Sequence, residues 1–289
     1  MRNLSDIKEV KRILNQHGFQ FSKSLGQNFL IDPEVCPRMA EESGVTKETG
    51  VIEVGPGFGV LTRELAARAN KVVAIELDKR LPAVLAETLR DFDNVKVVQA
   101  DVMEVDLHQL IHDEFSGLDV LVCANLPYYI TSPVIMKLLE EKLPVESLTV
   151  MVQKEAAIRI CAAPGTRACG AVSVAVQYYS QPQILFDVPR DCFFPAPNVD
   201  SAVIRLNIRT EPPVKLETEE KQFFKLLKAA FGQRIKTVLN SLSTGLGKSK
   251  EELSAALQQA GIAPTARAEQ LTMEQFGTLC NLLFPNKAQ

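Results

Sequence analysis

Apolar positions between residues 51 and 206 gather into short, β-branched runs separated by longer amphipathic stretches. The runs at 51–54, 72–75, 95–98, 120–124 and 148–152 are nearly all apolar, as expected of strands buried on both faces of a parallel sheet. Residues 60–69, 80–90 and 133–141 lie between them and carry helical periodicity. The alternation predicts a doubly wound α/β sheet that binds ligands at the carboxyl ends of its strands. Residues 172–178 and 202–208 alternate with period two, which predicts an antiparallel strand at the far edge of that sheet.

Thr210-Glu211-Pro212-Pro213 interrupts any regular element and reads as a linker. Beyond it, Phe223, Leu227, Phe231, Val238 and Leu242 recur at helical spacing. Residues 251–260 and 273–283 give two further amphipathic helices, separated by Gly261 and Pro264. The expected organisation is an α/β domain over residues 1–209 and a small helical domain over 214–289.

Composition adds limits rather than detail. A chain of 289 residues that is 46% apolar and 23% charged can bury a sizeable core, and it contains no run of eighteen apolar residues that would cross a membrane. The first fourteen residues mix charges with spaced apolar positions and lack the continuous core of a signal peptide. Six scattered cysteines without a CxxC pair point to reduced thiols and a cytoplasmic location. The net charge of −3 argues against a nucleic-acid binder. Residues 221–250 qualify that, with seven Lys or Arg and no Asp or Glu; a locally basic face can hold a phosphate backbone because distant charges are screened.

The chemistry concentrates at strand ends. Glu53-Val54-Gly55-Pro56-Gly57-Phe58-Gly59 follows a strand and opens a helix, and its glycines permit a tight turn and close approach of a ligand. The spacing is GxGxG rather than GxGxxG, Pro56 removes an N–H that a pyrophosphate would use, and Glu53 sets a carboxylate before the loop. Those features suit a cationic sulfonium better than an anionic dinucleotide. Glu76 and Asp101 close the next two strands, where one carboxylate can accept from ribose hydroxyls and the other from an adenine amine.

Asn125-Leu126-Pro127-Tyr128-Tyr129 ends the fourth strand. The exocyclic amine of adenine is a poor nucleophile, since its lone pair is delocalised into the ring, and holding it requires acceptors only. The Asn125 side-chain oxygen and the Leu126 carbonyl supply two, and Pro127 adds no competing N–H. Tyr128 offers a face on which a base can stack, worth about 1–3 kcal/mol, and which can steady developing positive charge.

These motifs, with three others, are those of a known family. Lys23-Ser24-Leu25-Gly26-Gln27-Asn28-Phe29-Leu30-Ile31-Asp32 precedes them. Phe193-Phe194-Pro195-Ala196-Pro197-Asn198-Val199-Asp200-Ser201 and Ala230-Phe231-Gly232-Gln233-Arg234-Ile235-Lys236-Thr237-Val238-Leu239-Asn240 follow. Over essentially its whole length the chain resembles the ribosomal RNA adenine dimethyltransferases, which include small-subunit enzymes and the erythromycin-resistance methyltransferases; it looks most like the small-subunit branch. The resemblance implies a class I methyltransferase fold with a mostly parallel seven-stranded sheet. It implies S-adenosylmethionine as cofactor, held by Asn28, Leu30, Gly55, Gly57, Glu76, Asp101 and Asn125. Catalysis falls to Asn125, Leu126, Pro127 and Tyr128, and RNA contact to Tyr128, Phe193, Arg234 and Lys236. The implied reaction dimethylates two adjacent adenosines in the 3′-terminal hairpin of 16S rRNA, within the small ribosomal subunit. Methyl transfer is in-line, with the target base drawn out of its stack. A monomer with no metal and no membrane association is expected. The chain departs from the pattern at Ile235, where a second basic residue is common, which bears on one phosphate contact rather than on the activity.

Three other readings stay open on sequence: an NAD-type oxidoreductase, which the glycine spacing, Pro56 and the Asn-Leu-Pro-Tyr turn oppose; a large-subunit methyltransferase of the resistance type; and a factor whose main work is binding the nascent small subunit. His108 and His112 have metal-ligand spacing but no third partner and read as a solvated helix face. His17 has no assigned role, and Phe223, Phe224 and Phe231 read as bundle core.

Overall fold

The computed structural model describes residues 4, 6–19, 28–233 and 235–285. In chain order the elements begin α1 (Ile7–Gln16), β1 (Phe29–Leu30), α2 (Val35–Glu42), β2 (Thr49–Val54), α3 (Val60–Arg68), β3 (Lys71–Glu76), α4 (Leu81–Thr88) and β4 (Val95–Gln99). They continue with α5 (Leu107–Glu114), β5 (Asp119–Asn125), α6 (Thr131–Glu140), β6 (Ser147–Gln153), α7 (Lys154–Cys161), α8 (Ala171–Tyr179) and β7 (Ser180–Val188). The last are β8 (Phe193–Phe194), β9 (Ser201–Ile208), α9 (Glu220–Ala230), α10 (Val238–Leu246), α11 (Lys250–Gln259) and α12 (Met273–Leu283).

Seven strands form one sheet in the order β4-β3-β2-β5-β6-β9-β7, with β2 to β6 parallel and β9 antiparallel to β6. The central strands β2, β5 and β6 are buried almost throughout, which is why their sequences carry no alternation. β4 departs from that expectation. As an outer strand it is only partly buried, and its Lys96 reaches out to Glu114, which also pairs with Lys71 at 2.7 Å. A second sheet of two short strands pairs Phe29 with Phe194 and Leu30 with Phe193.

The period-two segment at 172–178 is not a strand. It forms α8, whose N-terminus is capped by the Ser173 hydroxyl accepting from the Gly170 N–H at 2.8 Å. Ser173, Val174, Ala175, Val176 and Tyr178 are all buried, so this helix has no polar face to reveal its period. The strand instead is β7, at the far edge of the sheet, where Pro182 is tolerated because no central ladder needs its N–H.

The chain divides into two compact units, Met1–Ala157 with Gln183–Ile208, and Ile158–Pro182 with Arg209–Gln289. The helical unit thus takes in residues 158–182 as well as the segment after the Pro212-Pro213 linker, where the hydrophobic pattern alone points to 214–289. Val174 and Tyr178 of α8 share a core with Phe223, Leu227, Val238 and Leu242. Within the same unit, Arg209 donates to the Gln177 and Ser180 carbonyls at 3.0 and 3.1 Å. The apolar spacing from Phe223 to Leu242 is carried by two helices, α9 and α10, rather than one.

Candidate active site

Strand pairing runs past the ends of the parallel strands and holds their tips together. The Gly55 N–H donates to the Ile75 carbonyl at 2.9 Å, Ala100 N–H to Glu76 at 3.0 Å, and Leu126 N–H to Met151 at 3.2 Å. Between β2 and α3 the backbone turns through Gly55, Gly57 and Gly59 at φ +69°, +57° and +84°, values that L side chains rarely adopt. A Cβ on Gly57 would also stand 3.2 Å from the Phe29 ring. Phe29 lies flat on Phe58, with ring centroids 3.9 Å apart, so β1 is seated directly on the glycine turn.

Glu53, Glu76, Asp78 and Asp101 line the cleft that these tips enclose. Glu76 is 6% exposed; its carboxylate oxygens accept from the Asp78 N–H at 2.8 Å and the Gly57 N–H at 3.4 Å. Burial nevertheless raises its pKa to about 7, the backbone donors opposing the rise. Asp101 is half-buried and accepts from the Met103 N–H at 2.9 Å. Glu53 is 1% exposed, and burial raises it to about 8, the Thr62 hydroxyl opposing and Glu76 adding.

After β5 the chain leaves the sheet at Asn125 and enters a single 3-10 turn at Tyr128–Ile130. Among the described residues, nothing hydrogen-bonds to the Asn125 side chain or donates to the Leu126 carbonyl. Pro127 follows with no N–H to offer. Tyr128 is half-buried and its hydroxyl shares a 2.7 Å hydrogen bond with Ser201 Oγ.

Asn28, Leu30, Gly55, Gly57, Glu76 and Asp101 line one cleft together with Asn125, Leu126, Pro127, Tyr128 and Phe193. The cleft opens to solvent, and its volume with that open mouth included is about 1170 Å³. Phe193 is 3% exposed and held against Leu30 by the β1–β8 pairing. Lys236 is exposed in the second unit, while Arg234 and residues 23–27 lie outside the described residues. Lys221, Lys225 and Lys228 form an exposed stripe along α9. His112 is exposed beside Asp113, and His108 meets the Glu141 carbonyl at 2.8 Å. Among the described residues no group of three or more His, Cys, Asp or Glu is placed to hold a metal, and no helix is long and apolar enough to cross a membrane. Ser201, Tyr129 and the buried state of Glu53 are the features that sequence reasoning did not single out.

A family model described as ribosomal RNA adenine dimethylase matches residues 18–284. The chain belongs to the ribosomal RNA adenine dimethylases. Like a solved 23S rRNA methyltransferase, ErmE, this dimethylase carries the class I methyltransferase sheet (TM-score 0.67, 30% identity, 89% of this chain and 99% of that one). A dimethyladenosine transferase from Plasmodium falciparum shares the fold at 24% identity and a TM-score of 0.70, over 87% of this chain and 95% of its own. Ribosomal RNA small subunit methyltransferase A of Geobacillus thermodenitrificans is 50% identical over 96% of this chain and 95% of that protein. The Alkaliphilus oremlandii protein of the same name is 50% identical over 98% and 99%.

Proposed function

We propose that the protein transfers methyl groups from S-adenosylmethionine to the exocyclic amine of adenosine in small-subunit ribosomal RNA, two methyls on each of two adjacent adenosines of the 3′-terminal hairpin of 16S rRNA. The observation that carries this reading is the turn at Asn125–Tyr128. It presents an amide side chain and a carbonyl, neither engaged among the described residues, to the same cleft that Glu76 and Asp101 line, with an aromatic ring hydrogen-bonded alongside.

The cleft fits the cofactor's chemistry. Its glycine turn has backbone angles that L side chains rarely adopt, and its acids include a buried carboxyl, Glu53, whose Oε2 meets no donor among the described residues. Glu76 would accept from the ribose hydroxyls and Asp101 from the adenine amine. Gly55, Gly57, Asn28 and Leu30 would hold the amino-acid end. S-adenosylmethionine supplies an electrophilic methyl group on a sulfonium. Asn125 and the Leu126 carbonyl would accept the two N–H bonds of the target amine and turn its lone pair towards that methyl. Tyr128 and Phe193 would stack on the extruded base, offsetting part of the few kcal/mol that unstacking costs. Rate enhancement in such a site comes from position and charge rather than from a strong base.

For RNA, the exposed lysines of α9 and Lys236 offer phosphate contacts in the helical unit, with Arg234 as a further one. The 50% identity to small-subunit enzymes over nearly full length, against 30% to ErmE, favours the small-subunit target. Nucleoside mass spectrometry of 16S rRNA after incubation with the protein and S-adenosylmethionine tests the reading. It predicts N6,N6-dimethyladenosine at two neighbouring positions; no methylated adenosine with active cofactor present would refute it.

A further inference from the structure

Helix α1 carries cations that the site so far leaves unused. Its inner residues Val10 and Ile13 share a core with Phe29, Phe58 and Leu81, which also line the cleft. His17, at the C-terminal end of α1, meets Glu87 of α4 at 2.7 Å. The helix is thus packed on the outside of the cleft wall.

Its outer side bears Lys8 and Lys11, both exposed and one turn apart. The acids around them are engaged elsewhere. Asp6 caps the helix by accepting from the Lys8 N–H at 2.9 Å, Glu9 accepts from Arg12 at 2.8 Å, and Glu87 faces His17 and Arg12. Among the described residues, neither lysine pairs with a carboxylate.

Lys11 is nevertheless held in place, with its ammonium over the Phe194 ring, 5.4 Å from the centroid. Phe193 and Phe194 are consecutive on β8, and consecutive strand residues point to opposite faces. Phe193 lines the cleft, where it is 3% exposed, and Phe194 turns the other way, under Lys11. One pleat therefore separates the platform for the extruded base from a cation without a counter-ion. An extruded nucleotide buries its base and leaves its phosphate outside the pocket. Lys11 stands on that side, and Lys8 lies about 4.5 Å further along the helix axis, where the strand's next phosphate can reach it.

We propose that α1 is an RNA-backbone contact of the unit that holds the cleft: Lys11 binds the phosphate of the target adenosine and Lys8 a neighbouring one. Two unpaired cations select a polyanion, and the place beside Phe193 selects the strand that carries the target. The proposal rests on the reading that the cleft methylates adenosine in RNA.

The test uses the full chain and a synthetic hairpin with the 3′-terminal sequence of 16S rRNA, in filter binding at several salt concentrations. Lys11→Gln should weaken binding several-fold and lower the magnitude of the salt slope of log K by about 0.7–0.9. Lys8→Gln should lower it by a similar amount, and Lys11→Arg should restore the native slope. Affinity for S-adenosylmethionine should stay native in all three. A hairpin with neutral methylphosphonate links flanking the two target adenosines should bind the native chain several-fold more weakly than the unmodified one. Lys11→Gln should bind both hairpins equally. A native slope in either glutamine variant overturns the contact assigned to that lysine. A lower melting temperature of Lys11→Gln with an unchanged slope shows that Lys11 only clamps α1 to β8, and overturns the proposal too. So does an equal loss on the neutral links in Lys11→Gln and the native chain. Dimethylation of 16S rRNA by the native chain alongside any of these results leaves the functional reading intact. Failure of the native chain to bind or methylate any RNA overturns both.

Discussion

The Tyr128 hydroxyl and Ser201 Oγ meet at 2.7 Å although 73 residues separate them in the chain. The contact follows from topology. β9 runs antiparallel to β6, so its first residue, Ser201, pairs with Gln153 at the carboxyl end of the parallel strands, beside the turn that follows β5. Burial raises the pKa of the Tyr128 phenol, which keeps it a neutral hydrogen-bonding group. The bond fixes the ring plane relative to Asn125 and Leu126. Ser201→Ala leaves a half-buried hydroxyl without its partner and should cost about 1–2 kcal/mol, roughly five- to thirty-fold in single-turnover methylation. Tyr128→Phe should cost a similar amount, and the double variant no more than either alone. Additive losses would show that the two residues act separately.

Asn125→Ala should reduce methyl transfer by at least about a hundred-fold, as loss of a fixed acceptor does in other preorganised sites. The circular dichroism spectrum should not change, because no described residue depends on that side chain for a hydrogen bond. Tyr128→Ala, which removes the ring itself, should lose about 1–3 kcal/mol at subsaturating RNA. Single-turnover rates for the two variants check both figures.

The two buried acids make the empty protein sensitive to alkali. Glu53 and Glu76 titrate near 8 and 7 when folded but near 4.5 when unfolded, so the folded state holds protons that the unfolded chain releases. Their contribution to stability is complete below about pH 4.5 and is lost as pH rises towards 7 to 8, at up to about 1.4 kcal/mol per unit for each group. The melting temperature of Glu53→Gln should therefore fall less between pH 5 and 8 than that of the native chain. Equal slopes would mean that Glu53 is ionised in the folded protein.

Glu76→Ala and Asp101→Ala should each weaken S-adenosylmethionine binding while leaving RNA affinity largely unchanged. Isothermal calorimetry for the cofactor and filter binding for the RNA separate the two. In the helical unit, Lys236→Ala should weaken RNA binding and lower the salt slope of log K by about 0.7–0.9, the amount for one phosphate contact.

What could be read from sequence were features that a single strand end contains by itself. The glycine turn, Glu76 and Asn125–Tyr128 each follow an apolar run that forms a buried strand, Asp101 follows the partly buried β4, and the carboxyl ends of parallel strands converge whatever their separation in sequence. What could not be read were pairings set by tertiary structure. Neither the Tyr128–Ser201 bond nor the seating of Phe29 on Gly57 has a local signature, and β1 and β8, at two residues each, are too short to show periodicity. α8 was misleading for a different reason: its alternating valines sit on a helix buried nearly all round. Glu53 was visible as a carboxylate, but its raised pKa arises from burial, with Glu76 adding, and only the fold supplies both.

The central claim is that this site acts on adenosine of the small subunit. The direct measurement offers intact small-subunit particles and protein-free large-subunit RNA in parallel, with labelled S-adenosylmethionine and nucleoside mass spectrometry of each RNA. Dimethylation of two adjacent adenosines near the 3′ end of 16S rRNA, with little label in the large-subunit RNA, is the predicted result. Preferential dimethylation of the large-subunit RNA would contradict it and place the protein's activity with the ErmE-like enzymes.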